Sequence, residues 1–226
     1  MGLLWWRRGG SGRSFKAVAM DIDGTLTDCD TLGLTSERLG LPVPELASIN
    51  KGYLQGTLTH EQTRELVLSR WRSSGKADRS QMESIFRSMP LRNDVFRLIR
   101  RIKERSLHSC LITSSMDFYA QVMAKRLGVT DYYANVLLTF DEGDGALSGM
   151  EFSKDAALLK QEQLMNFCTA KGISPEDVLV LGNAHNDRAM FEVTGNGVLI
   201  GGDDDEDLAS SAWRTVGSLA EVVDLL

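Results

Sequence analysis

A doubly wound, mostly parallel α/β sheet with a helical insertion after its first strand is the fold this sequence predicts, and three observations predict it. Short apolar runs recur and stop at acidic or polar turns. Amphipathic stretches separate those runs, as helices separate the strands of a parallel sheet. One long interval of helical periodicity interrupts the alternation.

The first run, Phe15 to Met20, is almost entirely apolar and ends at an acidic turn, which fits a strand buried on both faces. Similar runs follow at Ser109 to Thr113, Val178 to Leu181 and Gly197 to Ile200. Helical stretches lie between them at Asp117 to Leu127, Asp155 to Lys171 and Asp187 to Val193. The interval from Ser36 to Met89 holds no convincing strand. Leu46, Ile49, Tyr53 and Leu54 suit one helix face there, and Leu66, Val67, Arg70 and Trp71 suit another. Tyr132 to Met150 carries β-formers around the turn-rich Asp141-Glu142-Gly143-Asp144-Gly145 and reads as a hairpin. The expected organisation is an N-terminal arm over 1–14, a Rossmann-like core from 15–35 and 90–226, and a helical cap over 36–89.

Composition narrows the class. In 226 residues, 42% are hydrophobic and 25% charged, which suits a globular chain rather than a disordered one. The net charge of -6 argues against nucleic acid, and the Arg97, Arg100, Arg101, Lys103, Arg105 cluster has the spacing of a solvated helix face. Cys29, Cys110 and Cys168 are too scattered for a disulfide framework or a CxxC metal site, so a reducing, cytoplasmic location is expected. No apolar run approaches the roughly 20 residues that cross a bilayer. The opening Trp5-Trp6-Arg7-Arg8 reads as a loose arm, and Asp203 to Asp207 as a solvated acidic loop.

The chemistry concentrates after the first strand, in Asp21-Ile22-Asp23-Gly24-Thr25-Leu26-Thr27. Ligands of open α/β sheets bind at the carboxyl ends of strands. Carboxylates at i and i+2 point the same way on a strand, and the following glycine permits a sharp turn. One acid can attack while the other shuttles a proton. In isolation, an acidic turn that merely caps a strand reads the same.

This DxDGTLT segment resembles the first motif of the haloacid dehalogenase superfamily, and later segments supply the rest in order. Leu111-Ile112-Thr113-Ser114-Ser115 ends a strand where that family has a Ser or Thr, although Thr113 also suits a helix N-cap. For the family's lysine, the register of phosphoserine phosphatases favours Lys160, with Lys154 as the alternative. Gly182-Asn183-Ala184-His185-Asn186-Asp187 follows the strand where the family usually has Gly-Asp-x-x-x-Asp. Asn183 is therefore a departure, putting an amide where a metal-ligating carboxylate is usual, and His185 reads as a loop residue.

The resemblance implies a Mg²⁺-dependent phosphatase acting on a small phosphorylated metabolite. It makes Asp21 the nucleophile and Asp23 the general acid and base, with Thr113 and Lys160 stabilising the phosphoryl charge. It implies a metal site from Asp21, Asp23 through its carbonyl, Asn183 and Asp187, the last ligating through water or else fixing Asn183 and Lys160, and substrate contacts from Thr113, Ser114, Lys160 and Asn186. Similarity to phosphoserine phosphatases adds Asp30 after the first motif. Val67 stands where those enzymes have a substrate-holding Arg, which leaves Arg64 or Arg70 as substitutes, and His60 stands at a usual Phe. A phosphate-ligand binder with little catalysis and a phosphotransferase are the competing readings.

Overall fold

The computed structural model describes residues 13–152, 155–201 and 206–226. Strand β1 (Ala17–Met20) runs down the middle of a seven-stranded sheet of order β4-β3-β2-β1-β5-β6-β7, comprising β2 (His108–Met116), β3 (Asp131–Phe140), β4 (Leu147–Phe152), β5 (Val178–Gly182), β6 (Gly197–Ile200) and β7 (Arg214–Val216). All neighbours pair in parallel except β3 with β4, the hairpin. Every residue of β1, β5 and β6 is buried, because helices cover both faces.

The alternation of side chains along β1 divides two cores. Val18 and Met20 face a layer holding the insertion helices α1 (Thr31–Arg38), α2 (Val43–Leu54), α3 (His60–Ser73) and α4 (Arg79–Arg87), with α5 (Val95–Glu104), α6 (Asp117–Leu127) and, after them, the chain's last helix. Ala17 and Ala19 face α7 (Ala156–Lys171) and α8 (Arg188–Thr194). The short α9 (Glu206–Ser211) flanks β7, and α10 (Leu219–Leu225) is that last helix. Among the described residues no helix is long and apolar enough to cross a membrane.

The insertion differs from its sequence reading. Its first helix starts at Thr31 rather than near Ser36, and the residues it buries are Thr31, Gly33, Thr35 and Ser36, which carry no apolar signal. Ser36 is buried because its hydroxyl accepts a hydrogen bond from the Trp71 indole N–H at 3.1 Å. On α2, Leu46 and Ile49 face the core but Leu54 is 82% exposed. On α3, Val67 and Trp71 are buried, whereas Leu66 is partly exposed and Arg70 pairs with Glu45 at 2.7 Å. A capping box starts α3: the Thr59 hydroxyl accepts from Gln62 N–H, and the Gln62 side chain accepts from Thr59 N–H. The basic cluster of α5 lies opposite buried Leu98, Ile99 and Ile102. The Trp5-Trp6-Arg7-Arg8 arm, Lys154 and Asp203 to Asp205 lie outside the described residues.

Candidate active site

Three adjacent strands end at one place. The backbone N–H of Asp21 donates to Leu181 O at 2.9 Å, extending the β1–β5 pairing by one step and bringing the first motif against Asn183. Gly24 then turns the chain with φ +77°, and a Cβ there would overlap the Asn183 amide. Arg92 braces the turn by donating to Gly24 O at 2.9 Å while pairing with Asp28 at 2.8 Å.

Lys160, on α7, reaches the floor of this site with its side chain 2% exposed. Its Nζ stands 2.7 Å from Asp21 Oδ1 and 2.7 Å from Asp187 Oδ1. Burial alone would lower the lysine pKa, but the two carboxylates outweigh it and hold the ammonium above its ordinary value. The other Asp187 oxygen accepts from the backbone N–H groups of Asn183 at 2.9 Å and Ala184 at 3.1 Å. With both oxygens engaged and no exposed surface, Asp187 fixes Lys160 and the β5 loop. Of its two sequence readings, a metal ligand through water and the group that fixes Asn183 and Lys160, this geometry matches the second. Gly182 is required beside it, since a Cβ there would lie 2.5 Å from the Asp187 carboxyl carbon.

Burial pushes Asp21 from 3.8 up to about 7, against the pull of Lys160. Burial likewise raises Asp23 to about 6, opposed by the hydroxyls of Thr31 and Tyr119 beside it. Thr31 donates to Asp23 Oδ1. The two acids have different partners: one is paired with a buried cation, and the other accepts from the neutral hydroxyl of Thr31.

The inner atom of the Asn183 amide lies 2.9 Å from Asp23 O, 3.1 Å from Thr25 Oγ1 and 3.3 Å from Asp21 Oδ2. With nitrogen inward, the amide donates to all three. With oxygen inward, three oxygens of Asn183, Asp21 and Asp23 converge, an arrangement that repels unless a cation joins them. Mg²⁺ takes oxygen ligands at about 2.0–2.1 Å in an octahedron, which sets adjacent ligands about 3 Å apart. The spacings of the inner Asn183 atom to Asp23 O and Asp21 Oδ2, 2.9 and 3.3 Å, match, so the residues fit Mg²⁺. Among the described residues no group of three His, Cys, Asp or Glu side chains gathers to hold a metal. A cation here would rest on a single side-chain carboxylate, a neutral amide and a backbone carbonyl.

Above this floor lies a cavity of about 420 Å³ lined by core residues, including Asp21, Asp23, Thr113, Ser114, Asn183 and Asn186, and by α2 and α3. Thr113 is buried, and its Oγ1 accepts from Ser115 N–H at 3.0 Å. It is no N-cap: β2 continues through a register irregularity to Met116, and α6 begins after that. Asn186 donates to Ser114 Oγ at 2.9 Å and leaves its own Oδ1 buried without a partner. Arg64 lines the cavity. Asp30 does not, because it N-caps α1 and folds over the first turn, where a Cβ on Gly33 would lie 2.5 Å from its Oδ2. Its expected contact with substrate is corrected accordingly.

A family profile described as haloacid dehalogenase-like hydrolase matches residues 15–195. The chain belongs to the haloacid dehalogenase-like hydrolases. It is 24% identical to a phosphoserine phosphatase of Polaromonas sp. over 187 residues, which is 80% of this chain and 77% of that protein. It is 26% identical to a phosphoglycolate phosphatase of Chromobacterium violaceum over 231 residues, covering 95% of this chain and 97% of that one. A solved phospho-aspartyl intermediate analogue of phosphoserine phosphatase has the same fold, with TM-score 0.68 at 22% identity over 95% of this chain and 100% of that one.

The sequence reading of this hydrolase missed Thr25, whose hydroxyl donates to Asp21 Oδ2 at 3.0 Å. Its place inside the first motif was the available signal. Thr31 and Tyr119 were missed too, because nothing in a linear pattern brings α1 and α6 to Asp23.

Proposed function

We propose that this hydrolase is a phosphatase that cleaves small phosphate monoesters through a phosphoaspartate on Asp21. The observation that supports it best is the buried Asp21–Lys160–Asp187 array with Asp23 beside it on the floor of the cavity. The Asp21 carboxylate attacks phosphorus and the bond to the leaving oxygen breaks. Asp23, protonated, gives its proton to that oxygen, then takes one from the water that hydrolyses phosphoaspartate and releases phosphate. Thr113, Ser114 and Asn186 stand where the phosphoryl oxygens need donors, and the Lys160 ammonium offsets their charge. Mg²⁺ held by Asp21, the Asp23 carbonyl and Asn183 supplies further positive charge for the transferring phosphoryl group. The helices between β1 and α5 act as the cap, beginning at Thr31, over a core of 15–30 and 90–226.

Relatives that act on phosphoserine and on phosphoglycolate both carry the leaving group on a small, charged molecule. Arg64 is the residue here that such a carboxylate would meet, and Asp30 does not line the cavity.

Rapid-quench turnover of an aryl phosphate, with mass spectrometry of the trapped protein, tests the mechanism. A burst of alcohol with a phosphoryl adduct on Asp21, both lost in Asp21→Asn, is the expected result. An adduct elsewhere, or turnover by Asp21→Asn, overturns it. Alkyl phosphate formed when an alcohol is added identifies a transferase, and binding without a burst identifies a ligand-binding protein.

A further inference from the structure

The walls of the cavity, more than its size, separate it from one built for a phosphorylated three-carbon molecule. A water's share of liquid volume is about 30 Å³, so 420 Å³ gives room for on the order of fourteen water-sized groups, of which a phosphate takes about a third. The remainder lies under the insertion. Apolar side chains dominate its walls there, Tyr53, Val67, Trp71, Met116, Met150 and Phe152 against the polar Asn50 and Thr63, and Val67, Trp71, Met116 and Met150 are buried. His60 joins the two halves of this wall: its ring centroid lies 4.0 Å from that of Phe152 on β4 and 6.2 Å from that of Tyr53 on α2.

Charge is scarce above the floor. Among the described residues lining the cavity, Asp21 and Asp23 are the only acids and Arg64 the only cation. Arg64 is partly answered from outside, by Glu65 at 3.1 Å and Glu61 at 3.7 Å, while its Nε–H is buried without a partner. An ammonium group on the substrate would find no carboxylate among the described lining residues except the two engaged in chemistry. An acceptor oxygen would find a buried donor left unpaired.

Resting on the phosphatase reading above, we propose that the cavity selects phosphate monoesters of flat, apolar alcohols, arylalkyl in type, with an acceptor oxygen at the far end and no ammonium. The aromatic and methionine walls take the ring by area and by sulfur–aromatic contact, and Arg64 takes the acceptor. The phosphoryl floor is unchanged by this choice, so selectivity resides in the helices and the hairpin.

The test compares n-propyl phosphate, 3-phenylpropyl phosphate, its para-carboxyl derivative and O-phosphoserine, with acetyl phosphate as a substrate that needs no wall. The alkyl leaving groups are alike in intrinsic reactivity, so differences report the cavity. Burying a ring of this size is worth about 10- to 100-fold in kcat/KM, the expected advantage of 3-phenylpropyl over n-propyl phosphate. Tyr53→Ala, at a partly exposed position, should reduce that advantage several-fold, measured as the ratio of the two esters' kcat/KM in the same preparation. Arg64→Met should remove any further gain from the para-carboxyl group. O-Phosphoserine or n-propyl phosphate turned over as well as the phenylpropyl ester overturns the proposal while leaving the phosphatase reading intact. No hydrolysis of acetyl phosphate or any ester sinks the phosphatase reading itself, and this proposal with it.

Discussion

Replacing Asn183 by Asp bears on the feature that most separates this chain from its family's usual motif. The inner atom of residue 183 lies 3.3 Å from Asp21 Oδ2 and 2.9 Å from Asp23 O, so a carboxylate there faces a second carboxylate and a carbonyl with no donor of its own. Charge centres about 4 Å apart repel by about 4 kcal/mol at an effective dielectric of about 20. Partial protonation and relaxation reduce this, and a net loss of about 2 kcal/mol without divalent cation would lower Tm by roughly 4–8 °C for a chain of this size. Mg²⁺ reverses the sign, because the same added charge attracts a dication. Desolvation of the carboxylate cancels most of that gain, leaving about 10- to 100-fold tighter binding. Melting curves in EDTA and across a Mg²⁺ titration, alongside calorimetric binding of Mg²⁺, check both halves without relying on turnover. An Asn183→Asp variant that melts unchanged in EDTA and binds Mg²⁺ no more tightly would show that residue 183 does not face the cation.

Other perturbations read the remaining parts of the site. Asp23→Asn should slow turnover about 10²- to 10⁴-fold, with poor leaving groups hit hardest. The same variant should be more stable at pH 7.5. Burial raises Asp23 from 3.8 to about 6, so the folded protein holds the proton more tightly and stability falls as pH rises from about 4 to about 6. The cost reaches at most roughly 3 kcal/mol above that window, so a gain of about 1 kcal/mol in urea denaturation at pH 7.5 that vanishes near pH 4 is expected. Lys160→Met should abolish activity and cost roughly 3–5 kcal/mol, because Asp21 and Asp187 lose their buried counter-ion. Adding Asp187→Asn should restore part of that stability and none of the activity, as denaturation and phosphate release would reveal. Gly24→Ala should fold but lose more than about 10²-fold in kcat, since its positive φ and its contact with the Asn183 amide both exclude a side chain. An intact circular dichroism spectrum with near-normal turnover would contradict that.

Sequence alone determined what short-range pattern and strand-end position encode. The β-runs and the helices of the core were legible because a strand buried on both faces must be apolar throughout and a covering helix must carry one apolar stripe. β6 was placed at Gly197–Ile200 and α6 at Asp117–Leu127, as observed. Asp21, Asp23, Thr113, Ser114, Asn183 and Asn186 could be named because each follows a strand that had already been recognised. Choosing Lys160 needed the register of a resembling family, since nothing in the helical pattern of α7 distinguishes a lysine that points inward. Helix α1 was hidden because it buries Thr, Ser and Gly, and those residues become interior only when Trp71 and the sheet supply their partners. Asp30 was assigned by position to substrate, and Asp187 either to the metal through water or to fixing Asn183 and Lys160. The first carboxylate folds over the start of α1, and the second is saturated by Lys160 and two backbone N–H groups. A sequence fixes which groups are available and in what order. Which atom each group meets depends on contacts between elements distant in the chain, and only the packed tertiary structure decides those.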